Sequence, residues 1–366
     1  MHLVVSFFLA LFINQEAAPT TGGITGRVVA DGTNAPIAGA RVLVFPAGRP
    51  TGPMGPPPQA ITDQDGRFAF GKLAPGEYRL DVQKTGFAPL NEPMTQPRTF
   101  TVAAGQPLSV DLRLQRGGVI SGRVLDARGE PMTDANVMAM RRRPAPPNGV
   151  RQPRLLLAPI RGPQQTNDLG EFRIAGLAPG EYVVAATRPR FSFGFGGPGV
   201  PPPSSASGAH TTLVPTFYPG TADQAGALVV TVAAGAEVGN VVFTMQSAPA
   251  FRVSGIVLDE SRAPIDGAMV TLTQDPRTGP IMGALGSGRS DGSGRFAIDD
   301  VPAGTYRANA SVMMSIRSGS GGIGAVSSWA SSSSSVGGDI EQSPEIIVTD
   351  ADVKGVRVVT RRPKPQ

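Results

Sequence analysis

Thr62-Asp-Gln-Asp-Gly-Arg-Phe-Ala-Phe70 and, after Gly71 and Lys72, Leu73-Ala-Pro-Gly-Glu-Tyr78 decide how this chain folds. Asp65-Gly66 predicts a tight hairpin turn in which the glycine supplies a positive φ. Phe68 and Phe70 then stand two apart, on one face of a strand. Pro75-Gly76 predicts a second turn, of type II, with proline at i+1 and glycine at i+2. Tyr78 follows two residues later, placed to pack its ring in a core with the hydroxyl on nearby backbone.

The passage occurs twice more. Thr166–Phe172 (TNDLGEF) precedes Leu177–Tyr182 (LAPGEY), and Ser290–Phe296 (SDGSGRF) precedes Val301–Tyr306 (VPAGTY). Ten residues separate the two glycines each time: 66 to 76, 170 to 180, 294 to 304. A constant internal spacing with variable spacers marks repeated domains rather than a solenoid. The third repeat has Pro302-Ala303-Gly304, so its second turn is expected to differ.

Upstream of each passage the pattern continues. Ile24–Ala30 (ITGRVVA), Ile120–Leu125 (ISGRVL) and Val253–Leu258 (VSGIVL) alternate, so Val28, Val124 and Val257 face one side. Next come Ala35–Val44 (APIAGARVLV), Glu130–Val137 (EPMTDANV) and Ala263–Val270 (APIDGAMV), where Pro36, Pro131 and Pro264 fix a turn before the second strand. Downstream, each repeat closes with a strand pair: Phe100–Val102 with Leu108–Leu114, Leu228–Val232 with Val238–Met245, and Glu345–Val348 with Val353–Val359. About seven strands in each repeat predict an all-β chain of three tandem Greek-key antiparallel β-sandwiches.

The patterns G-x-V, P-[IM]-x-[GD]-A-x-V, T-[DN]-x-x-G-x-F and L-A-P-G-E-Y resemble the carboxypeptidase regulatory-like (transthyretin-like) domain family, in three copies over about residues 24–360. The resemblance implies a prealbumin-like sandwich, used in bacterial cell-envelope proteins as an accessory module. Some members of that superfamily are grouped with starch-binding domains, which implies carbohydrate recognition by analogy alone.

Composition bounds the chemistry. The 366 residues include 47 glycines and 36 prolines, which must fall mostly in turns and loops because neither suits an element interior. There is no cysteine, hence no disulfide, thiolate metal site or cysteine nucleophile. The two histidines are His2 and His210, too few for a histidine-based triad or a multi-histidine metal site. A net charge of +5 is compatible with anionic polymers or membrane surfaces and selects none of them.

Asp63–Gly66 and Asp291–Gly294 resemble the opening of a calcium loop, yet the twelfth position counted from Asp63 is Ala74, where such a loop needs a bidentate glutamate. The turn is therefore the preferred reading. Pilin-type surface domains cross-link an early-strand lysine to a late asparagine. Here Lys72, Lys84, Lys354 and Lys364 all lie outside the first strands. No Gly-x-Ser-x-Gly elbow or accompanying base is present. We expect no enzyme, no catalytic residue, no cofactor and no metal.

Two features remain for binding. Arg141, Arg142 and Arg143 open a basic insertion that continues through Arg151, Arg154 and Arg161; it reads first as a solvated flexible loop, and as the alternative it is suited to phosphate, sulfate or uronate. It contains no aromatic for base stacking, so nucleic acid is not an expected partner. Outside the repeated tyrosines and the strand phenylalanines, Phe191, Phe193, Phe195, Phe217, Tyr218 and Trp329 stand on segments that read as loops. Phe217, Tyr218 and Trp329 are the candidates for stacking on a sugar.

Leu3–Ile13 (LVVSFFLALFI) has the length of a signal-peptide core, and Ala17-Ala18 offers a cleavage point. The organisation expected is a signal peptide over 1–20, sandwiches over 21–116, 117–247 (with long loops) and 248–361, and a basic tail over 362–366. Gln115–Gly118 and Gln246–Ala250 read as short linkers. No transmembrane helix is expected in the mature chain. The sequence points to an exported, non-catalytic scaffold whose partner is an envelope or extracellular protein or a polysaccharide. The rivals are a carbohydrate-binding protein and an accessory subunit of a separate peptidase.

Overall fold

The computed structural model describes residues 21–48, 56–91, 98–142, 155–157, 163–188, 210–274, 284–312 and 344–360. The leader, Arg143, the Phe191–Phe195 stretch, Trp329 and the tail lie outside the described residues. The first repeat forms β1 (Gly22–Ala30), β2 (Arg41–Pro46), β3 (Gln59–Ile61), β4 (Arg67–Leu73), β5 (Gly76–Gln83), β6 (Thr99–Val102) and β7 (Pro107–Leu114). They make two sheets, in the orders β4-β1-β7 and β3-β2-β5-β6. Alternation decides what lies between them. Val110, Leu112 and Leu114 of β7 point inward while Asp111 and Arg113 face water, and the inward set packs with Ile24, Val28, Val42, Phe68, Phe70 and Leu80.

The second repeat supplies β8 (Gly118–Leu125), β9 (Asn136–Arg142), β10 (Leu155–Leu157), β11 (Gln164–Gln165), β12 (Glu171–Leu177), β13 (Gly180–Thr187), β14 (His210–Leu213), β15 (Thr216–Phe217), β16 (Val229–Val232) and β17 (Glu237–Thr244). One sheet runs β12-β8-β17; the other runs β10-β9-β13-β15, with β11 on β9 and β16 on β13. The third repeat supplies β18 (Ser247–Leu258), β19 (Met269–Gln274), β20 (Ala284–Arg289), β21 (Arg295–Pro302), β22 (Gly304–Ser311), β23 (Glu345–Val348) and β24 (Val353–Val359). Its sheets run β20-β19-β22-β23 and β14-β18-β21, with β24 on β18. By spatial compactness the chain divides into two units, residues 1–118 with 176–178 and residues 119–175 with 179–366.

Several details differ from the expectation. The closing strands of a repeat do not pair with each other: β6 lies on β5 and β7 on β1, in opposite sheets. Each is apolar on the one face it turns to the shared core, so the link between them is a corner. The last strand pairs with the first in parallel in all three repeats, β7 with β1, β17 with β8 and β24 with β18, making these sheets mixed. The Asp65-Gly66 type of turn is likewise a corner, since β3 pairs with β2 while β4 pairs with β1. Gly66, Gly170 and Gly294 sit there at φ 75, 70 and 76. An added Cβ would stand 2.4, 2.6 and 2.7 Å from the carbonyl oxygens of Val28, Val124 and Val257, so both conformation and space demand glycine.

The second turn is not type II in any repeat. Gly76, Gly180 and Gly304 take φ 156, 158 and 159, far from the ~80° of that turn. The glycine of Pro-Ala-Gly in the third repeat takes the same φ as that of Ala-Pro-Gly in the others. The hydroxyls of Tyr78 and Tyr306 donate as expected to the carbonyls of Ala74 (2.9 Å) and Pro302 (2.7 Å), but only the Tyr306 ring is buried, the Tyr78 ring being half-buried against its core. The spacers are not free linkers either. Gln115–Gly117 is bonded to Gly86–Ala88, and Gln246–Ala250 has become strand from Ser247 onward.

Candidate functional site

The residues nominated for chemistry fall into three places. The first is the corner before the β4-type strand. Asp63 Oδ1 accepts the backbone N–H groups of Asp65 (3.0 Å) and Arg67 (2.7 Å). Asn167 Oδ1 accepts those of Leu169 (3.0 Å) and Glu171 (2.8 Å), and Asp291 Oδ1 those of Ser293 and Arg295 (both 2.9 Å). A cation would favour carboxylates here. An amide performs the same task in the second repeat, so the position asks for an oxygen acceptor and not for charge. The Ser293 hydroxyl, and then the Arg295 N–H, hold the Asp291 carboxyl below its ordinary value. Glu171 is lowered by the Asn167 amide first and the Arg123 guanidinium second, across a 3.0 Å ion pair open to solvent.

Directly before each corner stands a hydroxyl that the sequence reading missed. Thr62 Oγ1 accepts the Ala40 N–H (2.8 Å) and donates to the Ile37 carbonyl (2.6 Å). Thr166 does the same with Ala135 (2.9 Å) and Met132 (2.7 Å), and Ser290 with Ala268 (2.9 Å) and Ile265 (2.7 Å). All three are buried, and each ties the loop after the first strand to the corner. The signal was the thrice-repeated Thr/Thr/Ser ahead of Asp/Asn/Asp.

The second place is the outer face of the sheet built on β9 and β13. Phe217 was expected on a loop, free to stack on a sugar. It is buried at 3% exposure among Met140, Val183 and Ala185. This corrects the expectation: β15 pairs with β13, Phe217 facing Ala185, and the ring belongs to a small second core. Tyr218 is half-buried with its ring edge-on to Phe243 at 6.2 Å.

Arginine is the third. Arg141 was expected to open a solvated anion-binding loop, but Nη2 donates to the Pro179 carbonyl at 2.7 Å and the guanidinium lies where a side chain on Gly180 would be. That placement gives Arg141 a structural partner in the turn before β13. Arg142 ends β9, opposite Leu155. An open hollow of about 630 Å³ lies by the 126–134 loop, with Asp126, Arg128, Met132, Asp134, Arg188 and Leu213 in its lining. Its charges are mixed, and Asp126 Oδ1 already accepts the N–H groups of Arg128 and Glu130. Among the described residues no three His, Cys, Asp or Glu side chains gather as a metal site, and no helix is long and apolar enough to cross a membrane.

Comparison with known proteins adds one assignment. Residues 23–115 and 252–313 match the model of the carboxypeptidase regulatory-like domain. No curated protein matches the chain. Among solved structures, the TIE protein of Bacillus anthracis is similar at 11% identity and a TM-score of 0.23, over 93% of this chain and 50% of that one. The chain thus spans half the length of that protein. The minor pilin of Streptococcus agalactiae is similar at 14% identity and a TM-score of 0.30, over 63% of this chain and 97% of that one. BcpA, the major pilin subunit of Bacillus cereus, is similar at 12% identity and a TM-score of 0.22, over 93% and 99%. Likeness at these values carries no function from those proteins to this one.

Proposed function

We propose, from a chain whose residues 23–115 and 252–313 are carboxypeptidase regulatory-like domains, an exported, non-catalytic scaffold of the cell envelope or extracellular space. Its working parts are three such sandwiches, over 21–116, 117–247 and 248–361. The middle one is included because its strands follow the same order and it carries the same corner, hydroxyl and tyrosine as its neighbours. One observation supports the non-catalytic reading: among the described residues, four of the candidates nominated for chemistry are engaged by the fold. Asp63 and Asp291 cap corners, Arg141 holds a carbonyl, and Phe217 fills a core.

Binding then falls to the surface loops, with an envelope or extracellular protein or a polysaccharide as the partner. The full chain, immobilised and exposed in parallel to envelope extract and to a polysaccharide panel, tests this. Specific retention of an envelope protein supports the scaffold. Retention of a glycan that Trp329→Ala abolishes would replace it with the carbohydrate-binding reading. Export is checked by the intact mass of the protein recovered from a secreting host, with loss of the leader near Ala17-Ala18 expected and an unprocessed cytoplasmic product contradicting it.

A further inference from the structure

We infer that β14, a segment of the second repeat, is a built-in donor strand that makes the second and third sandwiches one cooperative folding unit. The spacer between them is bonded at successive positions. Met245 N–H donates to the Leu125 carbonyl (2.8 Å), Gln246 N–H to Thr216 Oγ1 (2.9 Å), and Val214 N–H to the Gln246 carbonyl (2.9 Å). Thr216 is fully buried, and its hydroxyl donates in turn to the Val214 carbonyl at 2.9 Å. Beyond this latch, β14 runs antiparallel along the start of β18, with Leu213 facing Ser247, Thr212 facing Ala248, Thr211 facing Pro249 and His210 facing Ala250.

Ladder phase explains the sequence of the acceptor. Antiparallel hydrogen bonds recur every second residue, so Ala248 and Ala250 share the phase of Gln246 and turn their N–H groups to β14. Pro249 falls in the other phase, where no N–H toward β14 is required. The occupied edge is also the one that β24 takes from Val253 onward, so β14 extends that side of the third sandwich by a strand drawn from the second. Residues 119–175 and 179–366 accordingly form one compact unit.

Hydrogen exchange by mass spectrometry on the full chain, read together with calorimetric unfolding, tests the inference with Thr212→Pro. Thr212 is two residues from Val214, in the same phase, so proline deletes a ladder donor at the clasp. In the wild type the second and third repeats are expected to unfold in one transition, with Ala248 and Ala250 protected as well as the rest of β18. In T212P, protection at Ala248 and Ala250 falls by about tenfold or more and the transition splits, while β1 is unchanged. Separate wild-type transitions for the two repeats, or a T212P chain with unaltered exchange there, would overturn it. Should T212P fail to fold, Thr216→Val keeps the ladder and removes the hydroxyl. Faster exchange at Gln246 and Ala248 then supports the clasp, and unchanged exchange refutes it.

Discussion

The spacers at 115–118 and 246–250 look alike in the sequence and are built to different depths. Both follow the last strand of a repeat, and both are bonded to the segment that comes after that repeat's tyrosine strand. At the first, Ala88 N–H donates to the Gln115 carbonyl (2.9 Å), Gly117 N–H donates to the Gly86 carbonyl (3.0 Å), and a single bridge joins Phe87 to Arg116. At the second, the corresponding segment is long enough to make β15, a buried threonine latch and a four-residue ladder. The first spacer is tied back to its own unit, whereas the second is already a strand of the next sandwich. The two spacers thus differ in what the loop after the tyrosine strand builds against them, and the inferred coupling of the second and third repeats rests on that difference.

The strongest way to break this comparison is to destabilise one repeat and ask which others follow. Thr166→Val removes the buried hydroxyl and strands the Ala135 N–H and the Met132 carbonyl. A cost of about 2–3 kcal/mol is expected. Because the second and third repeats are coupled, calorimetry should show the whole larger transition move to lower temperature. Thr62→Val, the same change in the first repeat, should move only the smaller one. If T166V melts the second repeat alone, the coupling is absent.

The next probe acts on the weaker junction. Ala88→Pro deletes the N–H that meets Gln115 and forces a ring into a buried position, with an expected loss of about 1–2 kcal/mol. Exchange at Gln115–Gly117 should quicken without a new transition, in contrast to the splitting expected of T212P. A new transition would mean the two junctions work alike.

How much of this was legible depends on the kind of interaction. Val110, Leu112 and Leu114 announce a strand and its buried face through their period, and Gly66 announces a turn, although the hairpin expected there is a corner between sheets. Alternation gives the face and not the neighbour, which is why β6 and β7 read as a pair although they lie in opposite sheets. The glycine at 76, 180 and 304 was placed correctly, but its dihedral is decided by the sheets it joins. Phe217 was misplaced because a two-residue strand next to Pro219-Gly220 has no period to detect. Thr62 alone gives no sign of its part, and its recurrence as Thr166 and Ser290 is the signal of a tie that its burial beneath the Ile37–Ala40 loop makes plain. β14 left no signature, because a short polar strand is defined by the edge it covers.

Arg116 offers a finer cut at the first junction. Its guanidinium lies 4.9 Å from the centre of the Phe87 ring, on the spacer's one bridge. Arg116→Ala should cost about 0.5–1 kcal/mol, as expected of a cation–π contact with an exposed cation. Denaturant titration of the first unit checks this. Arg116→Lys should recover part of the loss, and no difference between the Ala and Lys variants would assign the effect to backbone propensity.

The smallest effect separates the corners of the coupled pair by acid. Asp291 is held below its ordinary value in the folded chain, so its bonds to Ser293 and Arg295 contribute fully above the unfolded-state value. That contribution is lost as pH falls through the lowered folded-state value. Asn167 makes the equivalent bonds to Leu169 and Glu171 with an amide oxygen that has no proton to gain in this range. In a Glu171→Gln background, which removes the carboxyl bonded to Asn167, protection factors followed downward through the aspartate range should therefore fall at Ser293 and Arg295 while those at Leu169 and at position 171 hold. Asp291→Asn should make the third corner behave like the second. A parallel fall at both corners would mean that global acid unfolding precedes the local event and that the carboxylate has no separate influence on its corner.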